Sequence, residues 1–417
     1  MQNSVYERNS GAIGSIERKT VLIFIDYYLP GSRAGGPIQS VANIVSRLSD
    51  EFSFFLVTSD RDLGDDVPFS NVPRGVWVPV GSAKVMYIQR GVCDFLKIIA
   101  VLRAFHPDVI YVNSLFSRPF SLYVVWVWVA LLRRRVPLLV APRGELGAGA
   151  LSIKSFKKRV YLGVSAALRF YRGVFWHASS VYEQSDIEAS GLPSRRPSVA
   201  SPLSTDQVIV APDLVDSSSQ ALVVPRRKCK IAGEVKLVFL ARIVPIKNLD
   251  FALRAIKLVN GRVNLSIYGP IEDQRYWREC EQVIASLPIG KTVAYHGSLA
   301  HDDVAHALVS SHFYILPSKG ENFGHGILEA FSCGLPVIIS NKTFWRELVK
   351  RGVGWDVSIE NEDLFLRALQ QAVNMSEDEY ISMSEKCLIY ASEVAKSEDA
   401  VFENRLMFRE LVQGVPR

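Results

Sequence analysis

Short apolar runs alternate with amphipathic stretches along most of this chain, and most of the runs read as short buried strands. In the first half the expected strands are Val21–Asp26, Phe54–Ser59, Val109–Asn113, Leu138–Ala141, Val174–Ala178 and Val208–Ala211. Residues 216–230 break the rhythm with a serine triplet and Pro225-Arg-Arg-Lys-Cys-Lys, which reads as a linker. A second set follows: a strand ending at Val238–Ala241, then Val263–Tyr268, Thr292–His296, Phe313–Leu316 and Val337–Ile339. Strands separated by helical stretches predict parallel sheets with crossover helices. The pattern therefore predicts an α/β chain of two Rossmann-like, doubly wound parallel-sheet domains, with ligands held at the carboxyl ends of the strands. The expected division is a loose N-terminal segment 1–19, a first domain 20–216, a linker 217–232 and a second domain 233–395, followed by a helical tail 396–417.

The stretch Phe313–Ser340, FYILPSKGENFGHGILEAFSCGLPVIIS, concentrates the chemistry. It reads as a strand ended by Pro317, a glycine-containing loop, a helix from about Gly326 to Cys333, and a strand opened by Pro336. The loop Asn322-Phe323-Gly324-His325-Gly326 meets the start of the helix, where free N–H groups and the dipole favour an anion. Gly324 and Gly326 would let backbone approach such an anion closely. Glu321 and Glu329, eight residues apart, bracket the loop. A carboxylate near a phosphate should face hydroxyls rather than the phosphate. A nucleoside diphosphate-sugar offers both groups. The competing reading makes both acids solvated and the glycines turn-formers. No G-x-G-x-x-G is present, which argues against a dinucleotide site.

This stretch resembles the E-x7-E signature of the family 4 (group 1) retaining glycosyltransferases of GT-B fold, in which two such domains face each other across a cleft. Its wording is similar to a bacterial surface-polysaccharide subgroup. The resemblance implies that Glu329 binds the donor ribose and that Glu321 lies near the donor sugar, with Phe323, Gly324, His325, Gly326 and Ile327 completing that wall. Upstream, Arg242 and Lys247 in ARIVPIKN resemble the family's R-x4-K loop, which implies two cations on the donor diphosphate. Preorganised cations stabilise the charge of a departing diphosphate. Gly35-Gly36-Pro37 resembles the glycine pair that brings amides to the reaction centre from the first domain. The resemblance further implies that Arg242, Lys247 and Glu321 carry the catalysis, and that the last helix, Val401–Val412 within 396–417, crosses back to the first domain.

The donor motifs all lie in the second half, so the acceptor is assigned to the first. Asn113, ending a strand, and Arg143, in a Pro142-Arg-Gly element of the subgroup, are the acceptor candidates. Many relatives carry a histidine near Asn113, where this chain has Tyr111 and Asn113. Two readings of Arg143 stand side by side: it grips an acceptor phosphate, or Glu145 ties it down. Asp60-Arg61-Asp62 imitates a metal-binding D-x-D, but a turn with acidic caps is the better reading.

Composition narrows the setting. The five cysteines are scattered and odd in number, with no C-x-x-C, which fits a reducing cytoplasm and argues against a structural zinc. The first twenty residues hold no apolar signal core, so a cytoplasmic location is expected. No cofactor or metal is expected: the histidines and acids share no ligand spacing. The net charge is +6. Arg133–Arg135 follow the apolar run 122–132, which is too short to span a bilayer and reads as a buried helix. Lys154, Lys157, Lys158, Arg159, Arg169 and Arg172 crowd one expected helix, about 150–171, interleaved with Phe156, Tyr161, Leu162, Leu168 and Phe170. That pattern fits either a solvated basic face or peripheral contact with the anionic cytoplasmic face of the inner membrane. No nucleic-acid module is present. The expected activity is transfer of a sugar from a nucleoside diphosphate to a hydroxyl acceptor, a saccharide or lipid-linked saccharide of O-antigen, capsule or exopolysaccharide. The alternatives are a sugar-nucleotide epimerase of the same fold and a nucleotide-sugar-binding protein without catalysis.

Overall fold

The computed structural model describes residues 18–413 except 92, 133, 153–154, 193–206, 216–228 and 300. The expected linker 217–232 and the N-terminal segment 1–19 fall largely outside the described residues, as does Lys154.

Two sheets carry the molecule. The first contains β1 Lys19–Ile25, β2 Phe52–Ser59, β3 Trp77–Val80, β4 Ala83–Ile88, β5 Val109–Asn113, β6 Leu138–Ala141, β7 Phe175–Ala178 and β8 Val208–Val210. Its order is β3-β4-β2-β1-β5-β6-β7-β8, parallel except for the β3–β4 pair. The second contains β9 Glu234–Leu240, β10 Arg262–Tyr268, β11 Lys291–Tyr295, β12 Phe313–Leu316, β13 Val337–Ser340 and β14 Gly354–Val357, in the order β11-β10-β9-β12-β13-β14, all parallel. Counted from β9, that is the 3-2-1-4-5-6 order of a nucleotide-binding sheet, and it reverses between β9 and β12.

The helices of the first half are α1 Gly36–Leu48, α2 Asp94–Ala104, α3 Tyr123–Ala130, α4 Ala148–Ser152, α5 Ser155–Ala167 and α6 Val181–Ala189. Those of the second are α7 Leu249–Leu258, α8 Gln274–Ala285, α9 His301–Val309, α10 His325–Ser332, α11 Leu348–Arg351, α12 Glu362–Asn374, α13 Glu377–Ala395 and α14 Glu398–Gln413. Both faces of the first sheet are covered. In β1, Val21, Ile23 and Ile25 join one apolar cluster while Leu22 and Phe24 join the other. This is why the strand reads as a continuous apolar run rather than an alternating one.

Helix α14 leaves the second domain and packs on the first sheet. Phe408 meets Phe52, Tyr111 and Phe54 at ring-centroid distances of 5.6, 5.9 and 6.1 Å. Arg405 and Arg409 pair with Asp50 and Glu51 at the turn into β2.

The structure departs from the sequence pattern in several places. The β3–β4 hairpin had no counterpart in the expected strands; Pro79 sits in β3, tolerable because β3 is the sheet edge. Strand β7 starts one residue late, β8 ends one early, and β11 is shifted back by one. The single basic helix expected over 150–171 is two, α4 and α5, and the second stops at Ala167. Arg169 takes a left-handed conformation (φ 50°), and the Phe170 N–H closes back on the Ser165 carbonyl.

Candidate active site

The reversal between β9 and β12 opens into a cleft of about 2330 Å³ lined by both domains. On the β9 side, Arg242 leaves the strand and residues 245–247 form one turn of 3₁₀-helix. Asn248 then takes a left-handed conformation, and its side chain donates to the Pro317 carbonyl at 3.0 Å, tying this loop to the end of β12. The Lys247 ammonium pairs with Glu321. Arg242 Nη1 lies 3.0 and 3.2 Å from the two oxygens of Glu272, beside the β10 loop. The structure thus brings Lys247 and Glu321 together and holds Arg242 against a third carboxylate.

On the β12 side the loop is pinned at many points. Lys319 N–H donates to the Ile246 carbonyl at 2.7 Å, Glu321 N–H to Lys342 at 3.0 Å, and the Trp345 indole to Phe323 at 2.6 Å. Gly324 then caps α10 with φ 77°, a conformation that costs side-chain-bearing residues energy. The Gly324, His325 and Gly326 N–H groups have no partner among the described residues and sit at the helix start.

The structure adds to three expectations for this wall. Phe323 lines the cleft but is buried among Trp345, Phe344 and His325, and it anchors the loop. The Ile327 N–H is already bonded to the Gly324 carbonyl at 2.9 Å and its side chain is core. Gly326 lines the cleft and also gives room to the protein itself, since a Cβ there would stand 3.0 Å from the Tyr314 hydroxyl, which donates to the Leu240 carbonyl.

Helix α1 faces this wall from the first domain. Gly35 is its cap, and the next residue, Gly36, comes so close that a Cβ there would be 3.5 Å from the His325 ring. One turn on, Gln39 donates to Glu329 at 3.1 Å and the Ser40 hydroxyl lies 3.1 Å from His325 Nε2. Ser179 donates to Asn322 at 2.8 Å, and the Arg346 guanidinium lies 4.8 Å from the centre of the Tyr182 ring. Two helix N-termini, α1 and α10, therefore meet in one cleft with cations beside them, a setting for a polyanion.

The acceptor candidates Asn113 and Arg143 lie deeper than expected. The Arg143 side chain is 6% exposed; it forms an ion pair with Asp213 and donates to Asn113 Oδ1 and the Tyr111 hydroxyl, each at 2.7 Å. Glu145 does not tie it down. It accepts from Ser114 and from the Leu115 and Phe116 N–H groups instead, and burial raises its pKa. Asp213 is buried, which works against ionisation, yet Arg143 holds its carboxyl below the usual range. In the Asp60-Arg61-Asp62 turn, Asp60 pairs with Arg61 and Arg74, and Asp62 accepts from the Ser32 and Arg33 N–H groups. Among the described residues, no group of three or more His, Cys, Asp or Glu side chains is placed to hold a metal.

Sequence reasoning missed Gln39, Ser40, Asp213 and Glu183. Glu183 accepts from the Gly144 and Ser179 N–H groups and fixes the loop after β6. Asp213 had a signal, an acid just beyond the end of β8. Gln39 and Ser40 had none beyond lying one turn into the helix that Gly35 caps.

Comparison with known proteins agrees with this arrangement. A family model described as glycosyl transferases group 1 matches residues 225–388, and one described as glycosyl transferase 4-like domain matches residues 35–202. The chain is 26% identical over 151 residues to O-antigen chain mannosyltransferase B of Escherichia coli, a match covering 35% of this chain and 39% of that one. It is 22% identical over 339 residues to alpha-monoglucosyldiacylglycerol synthase of Streptococcus pneumoniae, covering 78% of this chain and 72% of the relative. The chain thus spans well under half of the first relative and nearly three quarters of the second. In fold it is similar to Anabaena HepE, solved in complex with UDP and glucose, with a TM-score of 0.64, 17% identity and coverage of 95% of this chain and 100% of that one.

Proposed function

The chain belongs to the group 1 glycosyltransferases of GT-B fold, and on that premise we propose that it transfers a sugar, with retention, from a nucleoside diphosphate to a hydroxyl of a saccharide or lipid-linked saccharide in bacterial surface-polysaccharide or glycolipid assembly. The observation that carries this reading is the convergence of the α1 and α10 N-termini, Arg242, Lys247, Glu321 and Glu329 on one cleft. Lys247 is paired with Glu321 and Arg242 with Glu272. A diphosphate offers both cations the same charge on more oxygens. Released from Lys247, Glu321 becomes an acceptor for sugar hydroxyls, and Glu329 does the same for the ribose in place of Gln39.

In the reaction the bond from the anomeric carbon to the diphosphate oxygen breaks, and its electron pair leaves with the phosphate. The acceptor oxygen bonds to the anomeric carbon on the same face, and its proton passes to a phosphate oxygen. Arg242, Lys247 and the free amides of Gly324–Gly326 stabilise the growing negative charge. The reading needs no metal or cofactor, because these groups supply the positive charge.

We place the membrane contact on α5. Phe156, Val160 and Val164 on α5 and Leu168 just past its end are 78, 49, 52 and 69% exposed at a spacing of four, so they form one apolar stripe. Lys157, Arg159, Arg169 and Arg172 are exposed beside it. Among the described residues no helix is long and apolar enough to cross a membrane. The test of the activity is release of nucleoside diphosphate from UDP-glucose, UDP-galactose and GDP-mannose, with and without a lipid-linked saccharide acceptor. Release that rises with acceptor supports transfer; binding without release supports a binding protein instead.

A further inference from the structure

A chain of polar side chains leads from the first sheet to His325, and each link has a definite polarity. It begins at the Ala211 carbonyl, which only accepts, so His177 Nε2, 2.8 Å away, carries a hydrogen. Burial lowers the His177 pKa to about 4, which keeps the ring neutral and its Nδ1 bare. The Tyr111 hydroxyl, 2.9 Å from Nδ1, therefore donates to it. The Tyr111 oxygen in turn accepts from Arg143. Arg143, a donor only, spends its remaining contacts on Asn113 and Asp213. The Ser40 hydroxyl helps hold the Asp213 carboxyl ionised, and because a carboxylate only accepts, we assign the hydroxyl's one hydrogen to it. Its oxygen is then left as an acceptor for His325 Nε2 at 3.1 Å, so that nitrogen holds the ring's hydrogen.

His325 Nδ1 has no partner among the described residues, and the half-buried ring lines the cleft with Gly36, Glu321 and Glu329. Burial lowers the pKa of this ring, against the pull of Asp213, Glu329 and Glu321, which agrees with a neutral imidazole.

We propose that Ser40 and Asp213 are positioning residues that fix His325 as its Nε2–H tautomer, so that Nδ1 stands in the cleft as an acceptor for a hydroxyl of the donor sugar. The inference deepens the donor-site reading and rests on it. A bare ring nitrogen favours a sugar that presents a hydroxyl there and gains nothing from one whose hydroxyl is replaced by fluorine or hydrogen. Because His325 comes from the second domain and Ser40 and Asp213 from the first, this selectivity exists only while the domains are closed on each other.

The test uses the full chain with ¹⁵N-labelled histidine. The His325 ring signals are assigned by their loss in His325→Gln, and titrations use the tightest binder among UDP-glucose, UDP-galactose and GDP-mannose with its parent nucleoside diphosphate. The wild type should show the Nε2–H tautomer. Ser40→Ala should shift His325 toward the other tautomer and weaken the sugar nucleotide about tenfold, the worth of one hydrogen bond, while leaving the parent diphosphate unchanged. Asp213→Asn should act in the same direction, and Ser40→Thr, which keeps the hydroxyl, should restore both readouts. An unchanged tautomer in Ser40→Ala, or equal losses for the sugar nucleotide and the diphosphate, overturns this inference alone. A wild type that binds no nucleoside diphosphate overturns the donor-site reading and the inference with it.

Discussion

Lys247 and Glu321 are each other's partners, 13% and 16% exposed, where the account needs them to serve a phosphate and a sugar. Pairing keeps two half-buried charges neutralised, and a diphosphate that takes the lysine frees the acid. Single residues also set the pH behaviour. His177 is buried, and its pKa falls to about 4, against about 6.5 when unfolded. The native chain therefore binds fewer protons in that window. Its stability is full above about pH 6.5 and declines by about 1.4 kcal/mol per pH unit, from this residue, as pH falls toward 4. Denaturant unfolding at pH 7 and pH 5 checks this: the wild type should lose more stability between the two than His177→Gln does. Equal losses would remove His177 from the account.

At the scale of elements, the β12–loop–α10–β13 unit was legible because its signals are local: an apolar run, Pro317, a left-handed glycine, an amphipathic turn and Pro336 follow one another without interruption. The roles of its residues were less legible. Gly326 looked like room for a ligand and also makes room for Tyr314, and Phe323 looked like a wall and is also an anchor. Such roles depend on what packs behind a residue, which periodicity does not encode. The β3–β4 hairpin escaped because an edge strand with a proline carries little pattern. The basic stretch over 150–171 was visible as composition, and the stripe on α5 became visible only when burial separated Leu162 and Ser165 from Phe156, Val160 and Val164. Phe156→Ser combined with Lys157→Glu and Arg159→Glu should abolish flotation with phosphatidylglycerol-containing vesicles while leaving phosphatidylcholine vesicles unbound throughout. Unaltered flotation would remove α5 as the contact.

The whole molecule is held closed by contacts that no local pattern announces. Gln39–Glu329, Ser40–His325 and Ser179–Asn322 join the domains at the cleft, and α14 joins them at its back through Phe408. Phe408→Ala removes a buried ring from between β2, β5 and α14. It should cost about 3–5 kcal/mol in denaturant unfolding; a loss below 1 kcal/mol would mean that α14 contributes little to the first domain.

The central claim, that this cleft binds a nucleoside diphosphate-sugar and uses Lys247 to stabilise its departure, is tested most directly by one set of kinetics. Nucleoside diphosphate release is measured for the wild type, Lys247→Ala and Glu329→Ala across donor concentration. Lys247→Ala should lower kcat by about 10²–10³ with a small change in KM. Glu329→Ala should raise the donor KM about tenfold and leave kcat within a few fold. Wild-type kcat and KM in both variants would contradict the assignment of this cleft as the donor site.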